Sequence, residues 1–220
     1  MNFEESYQKY LILSESNGTT DKLSTNKGRY AVKYNIAQNK IMEWFIENNS
    51  TDENRYLQSI KVPYQTLGTL TTKTNYKSFS IPKDYFDFID LRVYGGKDKC
   101  LNQLYRSREV KGENVSNLFI DHNSIPSFKY RDTFYTIAQD TVQVYKTDFD
   151  IQKTEMSYYK YAKQVELENP DNPESQFKDE QLEFDDRLIN RIILMTVALH
   201  SLSSDDPKYQ AFKQETIQKF

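Results

Sequence analysis

Apolar positions recur every three to four residues at both ends of the chain and every second residue through its middle. The first pattern predicts amphipathic helices and the second predicts strands. Asn2 to about Leu13 reads as a helix with Phe3, Tyr7, Tyr10 and Leu11 on one face, Asn2 as N-cap and Glu5 as its capping-box partner. A second helix, from about Asn26 to Asn48, carries Tyr30, Tyr34, Ala37, Ile41 and Trp44 at spacings of four, three, four and three. Ser50, with Glu53 three residues on, opens a short third helix that Pro63 ends. Near the C-terminus, Leu188, Ile192, Met195, Leu199 and Leu202 repeat the four-three spacing, with Asp185 and Asp186 at the positive end of their helix. Ser203 to Pro207 then starts a last helix bearing Tyr209, Phe212, Ile217 and Phe220. The two stripes place Trp44 and Ile192 in the core.

Between the helices the period falls to two. Thr69 to Tyr76 is the first clear strand, and Phe88 to Tyr94 runs into Gly95-Gly96, a hairpin turn toward a strand at Cys100 to Tyr105. Gln139-Asp140 is a second hairpin signal between Phe134–Ala138 and Thr141–Tyr145. Glu155 to Tyr161 alternates Met156, Tyr158 and Lys160 on one face with Ser157, Tyr159 and Tyr161 on the other. The expected class is α+β: a helical unit formed by the N- and C-terminal helices (residues 1–62 and 181–220) with an inserted antiparallel β domain (63–165), a small sandwich or open barrel of five to seven strands. An acidic, proline-containing connecting loop at 166–180 joins the two.

Composition narrows the function without naming it. One cysteine, Cys100, excludes an internal disulfide framework. Neither a secretion signal nor an apolar run of membrane-spanning length is visible, so the expectation is a soluble protein made in a cytoplasm. The sequons at Asn17, Asn49 and Asn114 read as chance matches in an Asn-, Ser- and Thr-rich chain. A net charge of −3, from 29 basic and 32 acidic residues mixed along the chain, gives no basic stripe for sequence-specific nucleic-acid binding. It still permits a surface past which a polyanion slides. The 17 Tyr and 13 Phe suit subunit interfaces, although AT-rich coding sequence also yields such a composition.

Catalytic chemistry finds little support. His122 lies in a polar loop beside Asp121, and His200 sits where a helix C-terminus favours it. Asp121-His122 lacks the further ligands that a zinc site needs. Cys100 has no nucleophile signature around it, and Gly95-Gly96-Lys97 does not open a helix as a phosphate loop must. Acids are plentiful, at Asp84, Asp87, Asp90, Glu183, Asp185 and Asp186, but solvated charge explains them. The reading is a non-enzyme with no cofactor and no metal.

The segment Phe79-Ser-Ile-Pro-Lys-Asp-Tyr85, running into Ile89-Asp-Leu-Arg-Val-Tyr94, resembles an element of head–tail connector proteins of short-tailed double-stranded DNA phages, the portal-adaptor or tail-tubular type. There a Phe-x-Leu/Ile-Pro-x-Asp-Tyr stretch leads into a strand. Met156-Ser-Tyr-Tyr-Lys-Tyr161, the acidic loop and the Asp186-Arg-Leu-Ile-Asn-Arg-Ile-Ile193 helix are similar too, so the likeness spans the whole layout. Composition fits a phage of an AT-rich host, such as a crAss-like one. The resemblance implies a virion protein at the head–tail junction, forming a ring of usually about twelve copies beneath the portal by a repeated head-to-tail contact. It implies as partners other copies of itself, the portal, the next tail protein and passing DNA bound without sequence preference, and no membrane. Tyr209, Phe212 and Phe220 become candidate portal or subunit contacts. Two other classes stay open: a tail or surface module stacking sugars on exposed tyrosines clustered on one sheet face, and an accessory enzyme with acids or the His122 loop in a deep pocket.

Overall fold

A computed structural model describes residues 1–16, 26–48, 55–121, 124–178 and 181–201. In chain order the described elements are α1 (Phe3–Ser16), α2 (Lys27–Asn48), β1 (Lys61–Thr66), β2 (Thr69–Thr72), β3 (Tyr76–Ser80), β4 (Tyr85–Lys97), β5 (Cys100–Glu109), α3 (Val115–Ile120), β6 (Asp132–Ala138), β7 (Thr141–Tyr145), β8 (Asp150–Lys160) and α4 (Asp186–Ser201). The fold is α+β, with helices at both ends of the chain and a curled eight-stranded sheet between. It divides into two compact units: Met1–Ile60 with the chain from Ala162 onward, and Lys61–Tyr161. The expected helix after Ser203 lies outside the described residues, as does the start of the one expected after Ser50, whose described end is a short 3-10 turn at Gln58–Ile60.

In the helical unit the start of each described helix is capped, at Asn2 by the expected capping box. Asn2 Oδ1 accepts from the Glu5 N–H at 2.7 Å while Glu5 Oε2 accepts from the Asn2 N–H at 3.1 Å, a reciprocal capping box. Asn26 caps α2 through the Arg29 N–H, and Asp185 caps α4 through the Leu188 N–H, each at 2.8 Å. Tyr30, Tyr34, Ala37 and Ile41 are buried, as are Leu188 and Ile192. Trp44 is only half-buried, and Phe45 takes the core position instead. A helix slips about 20° per heptad against a strict seven-residue spacing, so two heptads beyond Tyr30 the stripe has rotated about 40° away. The same slip leaves Met195 and Leu199 half-buried on α4 while Thr196, Val197 and His200 turn inward.

The acidic segment is not a simple exposed loop. Leu167 and Phe177 form a bridge, Glu168 N–H donates to Gln176 O, and Lys178 N–H donates to Glu166 O, making a short hairpin. Phe177 enters the aromatic core, with ring centroids 6.0 to 6.2 Å from those of Phe3, Tyr7 and Tyr30. Upstream, Ala162 and Val165 are buried with the helices rather than in the sheet, which moves the expected boundary from 165 back to 161. Asn35 on α2 fixes that strap. Its Oδ1 accepts from the Val165 N–H at 2.8 Å, and its Nδ2 donates to the Val165 carbonyl at 3.0 Å, as a neighbouring strand would. Buried Gln38, one turn on, donates to Lys163 O at 3.2 Å.

The β unit follows from one connection. Its strand order is β1-β8-β4-β5-β6-β7-β3-β2, so β1 and β2 lie at opposite edges although only Leu67 and Gly68 separate them. Eight flat strands would place those edges about 34 Å apart at ~4.8 Å per step. Three Cα–Cα steps reach at most about 11 Å. The sheet must therefore curl until its edges meet at this corner, giving a half-barrel. The corner is stitched on both sides, by the Leu67 N–H donating to Thr154 O of β8 and the Ser80 N–H donating to Gly68 O, each at 2.9 Å. Lys77 Nζ donates to Ile151 O of β8 at 2.9 Å near the same opening. Leu67, Phe79, Leu91, Val93, Tyr105, Tyr135, Val142, Val144, Phe149, Ile151, Met156 and Tyr158 fill the interior.

Four local expectations change. The sheet is mixed, because β5 and β6 pair in parallel while the other six pairings are antiparallel. Residues 69–80 form a hairpin rather than one strand, with the Lys73 N–H donating to Tyr76 O across its end. Pro63 lies inside edge strand β1, where a missing N–H is tolerated, rather than ending a helix. Gly95 and Gly96 lie within β4, and the turn falls beyond them, where Asp98 has φ 52°. They are glycines because backbone passes close: a Cβ on Gly95 would lie 2.8 Å from Asp150 O, and one on Gly96 2.6 Å from Cys100 O. The Gln139-Asp140 turn is formed as expected, with Gln139 at φ 50°. Unforeseen in sequence, α3 lays Phe119 over Phe134 and Tyr145, the side of β6 and β7 opposite the barrel core.

Candidate interaction surface

The candidate contacts Tyr209, Phe212 and Phe220 lie outside the described residues, as does His122. The connector-like segment resolves into packing. Phe79 is buried, the Tyr85 N–H closes a turn on Pro82 O, and Asp84 O accepts from the Tyr161 N–H. The Tyr158 hydroxyl lies 3.0 Å from Asp84 Oδ1 and 2.7 Å from Gln65 Oε1, bridging the strand ends. This motif staples β4 to β8.

The β unit exposes a row of side chains on β5. Strand alternation sends Tyr105 inward, where it stacks on Phe149 at 4.3 Å, and leaves Leu104, Arg106 and Arg108 exposed in a row. Ser107 fixes the strand by donating to Leu91 O at 2.6 Å. Parallel pairing sets Arg106 beside Asp132 and Arg108 beside Phe134, and Arg106, Arg108, Ser124, Ile125, Asp132 and Thr133 line a cleft of ≈ 150 Å³. Arg108 donates to Ser124 O at 3.4 Å. Among the described residues neither arginine is in an ion pair.

Arg92 on β4 and Lys153 on β8 are already engaged. The Arg92 guanidinium lies 3.4 Å from the Tyr64 ring centroid, and the Tyr64 hydroxyl donates to Asp90 at 2.9 Å. Asp90 thereby holds the Tyr64 phenol above its ordinary pKa. Lys153 pairs with Glu155 at 2.5 Å and sits over the Tyr94 ring at 5.7 Å. The Lys153 hydrogen bond lowers the Glu155 carboxyl. Both half-exposed rings are thus covered by cations, while Tyr105, Tyr135, Tyr145, Tyr158 and Tyr159 are buried. Tyr130 and Tyr161 are the more open tyrosines of this unit, 70% and 49% exposed.

The helical unit exposes a different chemistry. Val32 and Ile36 on α2 are 60% and 45% exposed, one turn apart, beside a groove lined by Arg29, Lys33, Pro170 and Pro173. Lys33 Nζ lies 3.1 Å from His200 Nδ1, a geometry in which the ammonium donates to a neutral imidazole. Burial, then Lys33 and Arg29, hold the His200 pKa below its ordinary value. On the hairpin that ends in Phe177, Glu168, Asp171 and Glu174 are exposed and form no ion pair among the described residues.

Charge is divided unevenly between the two units. Lys61–Tyr161 holds 15 basic and 12 acidic residues, net +3, and the rest of the chain holds 14 and 20, net −6. Among the described residues no three His, Cys, Asp or Glu side chains gather as a metal site, Cys100 is exposed, and no helix is long and apolar enough to cross a membrane. No protein-family model and no curated protein matches the chain.

Proposed function

We propose that the protein is a structural component of a phage particle, one copy in a ring at the head–tail junction that extends the DNA channel and carries the tail. The observation that carries this reading is the layout: a helical unit closed by both chain ends, with a curled β unit inserted between α2 and α4. Exposed Val32 and Ile36 on one unit and exposed Leu101 and Leu104 on the other support the reading as apolar side chains open to contact. Two different patches on one chain suit a head-to-tail contact, which closes into a ring when the rotation allows. The partners are then other copies, the portal, the next tail protein and DNA passing without sequence preference. Tyr209, Phe212 and Phe220 serve as portal or subunit contacts, as aromatic anchors commonly do. The test is quantitative mass spectrometry of purified particles of the source, scaled to the major capsid protein. About twelve copies per particle are expected for a ring of the usual size, whereas absence from the particle overturns the reading.

A further inference from the structure

The β unit exposes Leu104, Arg106 and Arg108 in a row on β5, with Asp132 beside Arg106 in the parallel register. Nearby Arg92 and Lys153 are committed to Tyr64 and Glu155, but Arg106 and Arg108 have no carboxylate partner among the described residues. The surface that complements it is on the same chain. Glu168, Asp171 and Glu174 stand along a hairpin that is held before any partner arrives. Asn169 Oδ1 accepts from the Asp171 N–H at 3.1 Å, Asn172 Oδ1 accepts from the Glu174 N–H at 3.2 Å, and Phe177 anchors the base. Pro170 and Pro173 stiffen the tip further. A preformed knob loses little freedom on docking.

We infer that, within the ring reading on which this rests, the β5 row of one copy receives the acidic hairpin of a second copy. The occupant is argued from charge. Units of +3 and −6 on one chain favour unlike units meeting across a subunit boundary and disfavour like against like. Two carboxylate-bearing turns facing two guanidinium groups permit bidentate pairing. Leu104, 51% exposed, supplies the apolar edge that such a contact covers. Because the two surfaces differ, the contact is heterologous and repeats from copy to copy.

The test uses the full-length chain in sedimentation velocity at low and high salt. The wild type is expected to assemble at low salt and to dissociate as salt screens exposed charge. R106E/R108E and, separately, E168K/D171K/E174K are each expected to weaken association by about tenfold or more. Mixing the two variants restores assembly, since each boundary then pairs unlike charges again. R106Q/R108Q, which only removes charge, gives an intermediate loss, and circular dichroism checks that every variant is folded. Three results overturn the inference. Assembly that survives both reversals, with the protein still counted in the particle, leaves the ring standing but places its contact elsewhere. A wild type that is monomeric at every concentration and absent from particles removes the ring as well. Retardation of a duplex DNA fragment that R106Q/R108Q abolishes, without any effect on assembly, makes the row a polyanion surface instead.

Discussion

Replacing Phe177 with alanine tests the part of the structure furthest from its sequence pattern. The acidic, proline-broken segment around this residue carries no periodicity, yet the ring is 8% exposed and touches Phe3, Tyr7 and Tyr30, with the Lys27 ammonium 5.3 Å from its centroid. Core Phe→Ala changes cost about 3–5 kcal/mol. A residue at the edge of the core, on a hairpin that partly collapses into the space, belongs at the lower end, about 3 kcal/mol. With a urea m-value of about 2 kcal/mol/M, the midpoint falls by about 1.5 M. The assay is convenient because the only tryptophan of the chain, Trp44, lies on α2 with its ring 5.2 Å from Phe45, so its fluorescence follows the helical unit. Glu174→Ala, on the same hairpin but exposed, is the control and stays within about 0.5 kcal/mol. Equal midpoints for the two variants would refute the burial of Phe177 and return the segment to a solvated loop.

Asn35→Leu leaves the N–H and carbonyl of buried Val165 without their partner and costs about 2–4 kcal/mol, read by the same urea titration. Gly96→Ala pushes a methyl against Cys100 O and destabilises the β unit by about 1–3 kcal/mol, whereas Gly112→Ala, with open space around it, is neutral or slightly stabilising; differential scanning calorimetry separates them. Ile192→Asp buries a charge and unfolds the helical unit, but Trp44→Asp leaves it folded, since Trp44 is half-buried; far-ultraviolet circular dichroism distinguishes the pair. His200 binds its proton less readily when folded than when unfolded. Its contribution to stability is thus complete above the ordinary value of 6.5 and is lost as pH falls through the lower folded pKa. Melting followed by Trp44 fluorescence from pH 8 to pH 5 should drop more steeply in the wild type than in His200→Gln.

The helices α1, α2 and α4 were legible in the sequence, because caps and periodicity act over three or four residues, whereas the short α3 was not. Asn2 with Glu5 caps the helix that it announces, and Asp185 stands at the helix end where its charge placed it. The insertion of a β unit and the Gln139-Asp140 turn were legible for the same reason. Tertiary structure decided whatever depended on partners distant in the chain. Trp44 lost the core to Phe45 because a seven-residue spacing slips against helical pitch. Phe177 became core because α1 and α2 offered it a pocket, and Gly95 and Gly96 moved into a strand because Asp150 and Cys100 crowd them. The parallel β5–β6 pairing and the meeting of the sheet edges at Leu67-Gly68 are equally non-local. Charge took part in both levels. The formal charges are written in the sequence, but only the unit boundaries at Lys61 and Tyr161 divide a net −3 into +3 and −6, and only the pleat of β5 brings Arg106 and Arg108 to one exposed row. Alternation along a strand says which residues share a face; packing on the other side of the sheet decides which face is left to solvent.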